Sequence, residues 1–122
     1  MPYELSRRLG AGPLLCDGAM GTLLYARGVS VDACFDVLNL NNPRVIQSIH
    51  ADYIAAGADC IETNTFGANR FKLAAHGLDG QVREINRRGA ALARDVRRAP
   101  VAMSSSSAPL ARSGSTWRPS AP

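Results

Sequence analysis

Two polar clusters in this 122-residue chain combine residue types that could do chemistry. The first is Asp17-Gly18-Ala19-Met20-Gly21-Thr22. Its two glycines let the backbone approach a ligand closely, and free N–H groups at the start of a following helix attract an anionic group such as a carboxylate. Asp17 adds a carboxylate that could pair with a substrate ammonium. The same residues also fit a plainer role, with Asp17 capping a helix while the glycines make the turn. The second cluster, Glu62-Thr63-Asn64-Thr65-Phe66-Gly67, packs a carboxylate, two hydroxyls and an amide into four successive positions. It fits a ligand-binding strand end or a loop whose polar groups satisfy one another. Placed at the same end of neighbouring strands, the two clusters would form one convergent polar mouth.

Other titratable residues carry less. His50 follows Ile49 in a helical stretch with no second His, Cys or carboxylate at ligand spacing, and reads as a partly exposed helix residue. His76 precedes Gly77 near a helix end, where an interaction with the helix dipole accounts for it. Cys16 and Cys60 read as small core residues, and Cys34 sits in a loop with no base to activate it. Arg87, Arg88, Arg94, Arg97 and Arg98 fall on the polar side of a helix and read as a solvated face.

The elements that must position the clusters alternate in type. Glu4 to Leu9 reads as a short helical lead-in, and Pro13–Gly18 as a buried strand ended by a turn signal. Ala19 to Arg27 carries Met20, Leu23 and Leu24 at helical spacing, with Gly28 to end it. Asn41-Asn42-Pro43 predicts a helix start, an Asn cap followed by Pro at the first helical position. Behind it Val45, Ile46, Ile49, Tyr53 and Ile54 share one face, and Gly57 closes the helix. Ala58–Gly67 reads as a second strand running into a polar loop. A short helix follows at Asn69–His76, then a longer one at about Gln81–Arg98 with Val82, Ile85, Leu92 and Val96 on one stripe. Ala99 to Met103 could begin a third strand. Strands alternating with amphipathic helices predict parallel βα units.

At this point the residues resemble a known family. Leu14-Leu15-Cys16-Asp17-Gly18-Ala19-Met20-Gly21-Thr22 is similar to the opening motif of the homocysteine S-methyltransferase domain. The domain occurs in cobalamin-dependent methionine synthases, in fusions with methylenetetrahydrofolate reductase, and in betaine- or S-methylmethionine-dependent enzymes. The likeness continues through Asn39-Leu40-Asn41-Asn42-Pro43, Ala55-Ala56-Gly57-Ala58-Asp59 and Ile61-Glu62-Thr63-Asn64-Thr65-Phe66-Gly67-Ala68-Asn69, covering about residues 10–98.

The resemblance implies an α/β fold, the N-terminal βα units of a (β/α)8 TIM barrel, incomplete in this chain because a whole barrel takes roughly 250 residues. It implies methyl transfer to the thiol of homocysteine, giving methionine. Asp17, Gly18, Ala19, Met20 and Gly21 would hold the amino-acid portion of homocysteine, with Thr63, Asn64 and Thr65 lining the same mouth. The family's zinc ion is held by three cysteines on later strands, which Cys16, Cys34 and Cys60 do not match. No catalytic or metal-binding residue is therefore carried over, and the chain is expected to be inactive alone. A separate C-terminal half is one partner that would complete it. The methyl donor stays open among methylcobalamin, methyltetrahydrofolate through cobalamin, betaine and a methylsulfonium. The alternatives are a non-catalytic amino-acid-binding module and a non-functional gene fragment.

Composition sets the remaining bounds. No 18-residue apolar run exists, so no transmembrane helix is expected, and the N-terminus has no apolar signal region. Three scattered cysteines without a Cys-x-x-Cys pair predict a cytoplasmic location. The net charge of +4 is uneven: residues 1–82 hold six Arg/Lys against eight Asp/Glu, and residues 83–122 hold eight Arg against Glu84 and Asp95. A basic end without interleaved aromatic residues does not indicate nucleic-acid binding. Two segments are expected, 1–98 as the barrel portion and 99–122 as a Ser/Pro/Arg-rich tail, disordered or frameshifted. In a shifted reading frame Ser107–Ala111 can encode Gly-Pro-Leu-Gly, a turn the family carries after its third strand.

Overall fold

Two long helices frame the fold, and their sequences explain where they start and which face they bury. The structure, a computed structural model, describes residues 2–98. Helix α4 spans Pro43–Ala55. Pro43 lacks the N–H that a first-turn residue leaves unbonded, and its fixed φ suits helix entry. Asn42 precedes it without a side-chain hydrogen bond to the helix, so the expected Asn cap does not form and Pro43 alone marks the start. Ile46, Ile49 and His50 fall at i, i+3 and i+4 and form the buried face. Gly57 (φ +104°) lies in the left-handed region that favours glycine and turns the chain away from the helix.

Helix α6, Val82–Arg98, buries Ile85, Gly89, Leu92 and Ala93, while Val82 and Val96 are half-buried at either end of the stripe. Its arginines face outward or lie at the margin of that stripe, and Glu84 and Arg87 pair on the surface at 2.9 Å. Among the described residues there are four shorter helices, α1 (Pro2–Ala11), α2 (Gly21–Ala26), α3 (Leu38–Asn41) and α5 (Arg70–Ala74). A 3-10 turn at Asp79–Gln81 leads into α6. Asn69 caps α5, its side chain accepting the Lys72 N–H at 3.0 Å. Helix α3, placed between the two polar clusters, has no counterpart in the sequence expectation.

The core lies between α4, α6 and the shorter helices. Leu24, Leu38, Ile46, Ile49 and Leu92 form one buried cluster, and Ala68, Leu73 and Ile85 a second. Each fully buried Leu or Ile side chain contributes about 1.5–3 kcal/mol. The guanidinium of Arg27, just past α2, bonds Ser48 and Asp52 and so ties α2 to α4.

The expected strands differ most from the structure. Among the described residues no continuous strand forms, and the segments Pro13–Gly18 and Ala58–Gly67 meet in a single parallel bridge, Cys16 to Cys60. Cys60 N–H donates to Leu15 O at 3.1 Å and Asp17 N–H to Cys60 O at 3.0 Å. The next rung would take Glu62 N–H to the Asp17 carbonyl, but that N–H goes to the Asp17 carboxylate, 3.1 Å from each oxygen. At the other end Leu15 N–H donates to Asp59 Oδ2 at 3.0 Å. Two aspartate side chains thus close the ladder after one rung. The parallel sense agrees with the expectation; the length does not.

The exposed face beside the bridge supplies the physical reason. Parallel sheets persist when both faces are covered, yet Leu15 is 60% exposed and Cys16 is exposed as well. This corrects the reading of Cys16 as a core residue; Cys60 is half-buried. The possible third strand at Ala99–Met103 and the 99–122 tail lie outside the described residues. No described helix is long and apolar enough to cross a membrane.

Candidate functional site

The bridge brings the two polar clusters to one end of the fold, because each begins where its segment leaves the single rung. Asp17, half-buried, spans the gap by accepting Glu62 N–H. Behind Asp17 the chain runs over Tyr53 of α4, whose hydroxyl donates to Ala19 O at 2.7 Å. A Cβ at Gly18 would sit 3.0 Å from that hydroxyl, so glycine allows the close pass. Gly21 similarly packs against the Phe35 ring, 3.3 Å from where a Cβ would be. Met20 N-caps α2 through its backbone position, without a side-chain bond.

In the second cluster the side chains part company. The Thr63 and Thr65 hydroxyls bond each other at 2.7 Å, Thr63 exposed and Thr65 half-buried. Asn64, between them, is buried, and its Nδ2 donates to Phe35 O at 2.8 Å and to Asn39 Oδ1 at 3.1 Å. Its carboxamide therefore faces inward, away from the threonine hydroxyls. Gly67 N–H donates to Asp36 Oδ1 at 3.0 Å. Phe66 is 92% exposed, with the Lys72 ammonium 4.4 Å from its ring centre.

A cavity of about 430 Å³ opens beside these residues, lined in part by Met20, Gly21, Cys34, Asp36, Asn64 and Lys72. Its size is within the range that holds a small metabolite. Of the expected site residues, Met20, Gly21 and Asn64 line it; Asp17, Gly18, Ala19, Thr63 and Thr65 do not. Burial pushes the Asp36 carboxyl above its ordinary range, against the opposing pull of the Gly67 N–H and of the Lys72 and His76 charges.

Beneath the first cluster lies His50, fully buried, its ring nitrogens without a hydrogen-bond partner among the described residues. This corrects its reading as partly exposed. Ile46 and His50 are i, i+4 neighbours on the buried face of α4, a spacing visible in the sequence. Desolvation holds the imidazole pKa below its usual value, while the negative charge of Asp17 acts in the opposite sense.

The cysteines divide between two places. Cys16 and Cys60 meet across the bridge, where the Cys60 thiol, followed by desolvation and then the Glu62 and Asp17 carboxylates, raises the Cys16 pKa. Cys34 lines the cavity wall. Among the described residues no group of three His, Cys, Asp or Glu side chains is placed to hold a metal ion. Sequence reasoning missed Asn39, Asp36 and Tyr53 as supports of the site. Asn39 left a signal in the run Asn39-Leu40-Asn41-Asn42 that the family resemblance spans, and Tyr53 in its place on the apolar face of α4; Asp36 left none.

Comparisons with known proteins identify a family and relatives for this chain. The homocysteine S-methyltransferase family matches residues 14–116. Methionine synthase from Mycobacterium tuberculosis is 40% identical over 98 residues, covering 75% of this chain and 8% of the relative. The Mycobacterium leprae methionine synthase is 36% identical over 99 residues, covering 76% and 8%. The crystal structure of the homocysteine methyltransferase MmuM from Escherichia coli, in its metallated form, superposes with a TM-score of 0.65 at 34% identity. That likeness covers 76% of this chain and 34% of MmuM. The chain thus spans a small fraction of the curated synthases and about a third of the solved structure.

Proposed function

The chain belongs to the homocysteine S-methyltransferase family, and from that premise we propose that it carries the amino-acid-binding part of an enzyme that methylates the thiol of homocysteine. The observation that carries the reading is the joining of the two clusters at one end of the Cys16–Cys60 bridge, with the Asp17 carboxylate on Glu62 N–H. In this arrangement Asp17 pairs with the substrate ammonium, using lone pairs that the single Glu62 N–H leaves free. The backbone of Gly18, Ala19, Met20 and Gly21 takes the substrate carboxylate. Thr63 and Thr65 line the mouth beside it. The segment is proposed as the first βα units of a barrel, with the one parallel rung as the start of its sheet.

The reaction forms a bond between sulfur and the methyl carbon as the donor–methyl bond breaks, and the thiol proton departs. A free thiol is mostly protonated at neutral pH, whereas the thiolate is the nucleophile. In the family zinc supplies that activation, but the described cysteines do not fit a three-cysteine site, because Cys16 and Cys60 share one rung while Cys34 lies on the cavity wall. This chain's residues bind and orient the amino acid; the methyl donor, whether cobalamin-borne, betaine or a methylsulfonium, is recognised elsewhere, and the chain alone does not turn over. Its three free cysteines suit the reducing cytoplasm.

Calorimetric titration of the chain with L-homocysteine tests the reading. Saturable one-to-one binding is expected, weakened about 10- to 100-fold by Asp17→Asn, the loss of one charge-assisted hydrogen bond. Asparagine keeps an acceptor for Glu62 N–H, so the effect isolates the charge. Absence of binding by the unaltered chain overturns the reading.

A further inference from the structure

The 62–67 segment is fastened to the rest of the chain by side chains from three earlier places. Asp17 takes its first N–H and Asp36 its last. Its middle residue is held by Asn39 of α3, which is fully buried, with Asn64 only 8% exposed. Asn39 Nδ2 donates to Asn64 O at 2.7 Å and to Ile85 O at 3.3 Å. In return Asn64 Nδ2 donates to Asn39 Oδ1 at 3.1 Å and to Phe35 O at 2.8 Å. Both carboxamides therefore use both of their donated hydrogens, and the Asn39 oxygen accepts.

The pair gives the Asn64 carbonyl the donor that a longer sheet would have supplied. With the ladder ended after one rung, the Asn64 carbonyl needs a donor from elsewhere, and a buried acceptor left unpaired costs about 1–3 kcal/mol. An apolar side chain of the same volume could fill the space but could not donate. Helix α6 makes room for the arrangement. A Cβ at Gly89 would fall 2.7 Å from Asn39 Nδ2 and 2.7 Å from Thr65 Cγ2. Carboxamide pair, threonine and helix backbone are thus in contact at one point, with Thr63 and Thr65 flanking the inward-turned Asn64.

We propose that Asn39, outside the polar mouth, is a positioning residue of the homocysteine site: through Asn64 it sets the placement of Thr63 and Thr65. Asn64 then acts by holding the loop, both of its carboxamide hydrogens being engaged within the protein. The proposal rests on the homocysteine reading, and its test separates the two.

The test uses the whole 122-residue chain, 15N-labelled. In Asn39→Ala, amide hydrogen exchange at Glu62, Thr65 and Gly67 should quicken at least about tenfold while the helical amides of Ile49 and Leu92 keep their rates. Homocysteine affinity should fall by about tenfold or more, with the helical circular dichroism unchanged. Gly89→Ala, which presses the pair from the α6 side and leaves both carboxamides present, should loosen the same three amides. If either variant fails to fold, the unaltered protein still decides: the side-chain amide protons of Asn39 and Asn64 should exchange slowly and show mutual nuclear Overhauser contacts. Unchanged loop exchange in Asn39→Ala, unchanged affinity despite a loosened loop, or fast-exchanging carboxamides in the unaltered chain would each overturn the proposal. No homocysteine binding by the unaltered chain overturns the functional reading instead, and the exchange rates then decide whether Asn39 positions the loop.

Discussion

Along α4 and α6 the backbone bonds itself within each helix, so the two need only apolar partners, and they find them in each other and in Leu24 and Leu38. At Pro13–Gly18 and Ala58–Gly67 the backbone groups must find partners in another segment. They do so for one rung, after which the side chains of Asp17, Asp59 and Asn39 take over. The helical side is therefore held by burial, and the bridged edge by directed polar contacts around the candidate site. A polar network can set the placement of a loop where apolar packing alone would tolerate several arrangements.

The largest effect that would break this comparison is in the core. Leu92→Ala and Ile49→Ala each remove a fully buried side chain and should cost about 2–5 kcal/mol, read by urea denaturation. Leu15→Ala, on the exposed face of the bridge, should stay within about 0.5 kcal/mol. Equal losses at Leu15 and Leu92 would mean that the edge is packed like the core.

A second effect is a slope with pH. Burial lowers the His50 pKa in the folded chain, so the unfolded chain takes up the proton first as pH falls through about 6.5. Stability is complete above that value and declines toward the folded pKa, by at most about 1.4 kcal/mol per pH unit for one proton. His50→Leu should flatten this slope in denaturation series between pH 7.5 and 5. A slope unchanged by the substitution would assign the acid sensitivity to other groups.

The smallest expected effect has the opposite sign. The Asp36 pKa is raised by burial, so protonation favours the folded state and the carboxylate opposes it at neutral pH. Asp36→Asn keeps an acceptor for Gly67 N–H and should raise the unfolding midpoint slightly at pH 7. The gain should shrink on acidification as the native carboxyl takes up its proton. A lower midpoint at pH 7 would instead make the charge itself part of the clamp on Gly67.

The helices were largely legible in the sequence because their determinants are local. Pro43 and Gly57 bracket α4, and the Ile85–Leu92 spacing marks the buried face of α6. The parallel pairing of the two apolar segments was legible as well. Its shortness was not, since whether a strand continues depends on what covers its faces and on which side chains compete for its N–H groups. Asp17 and Asn64 illustrate this: their partners within the fold, Glu62 N–H and Asn39, come from distant positions that residue type does not reveal. His50 lacks other ligands at metal spacing, which suggests an exposed residue, yet its i, i+4 spacing from Ile46 puts it on the buried face of α4.

The Asp17–Thr22 and Glu62–Gly67 clusters are proposed to form a single mouth for homocysteine. A 1H–15N titration of the labelled chain with L-homocysteine tests it most directly. Saturable shifts that share one dissociation constant are expected at the amides of Gly18–Gly21 and of Thr63–Gly67, with none on the arginine face of α6. Shifts confined to one cluster, or separate constants for the two, would contradict it.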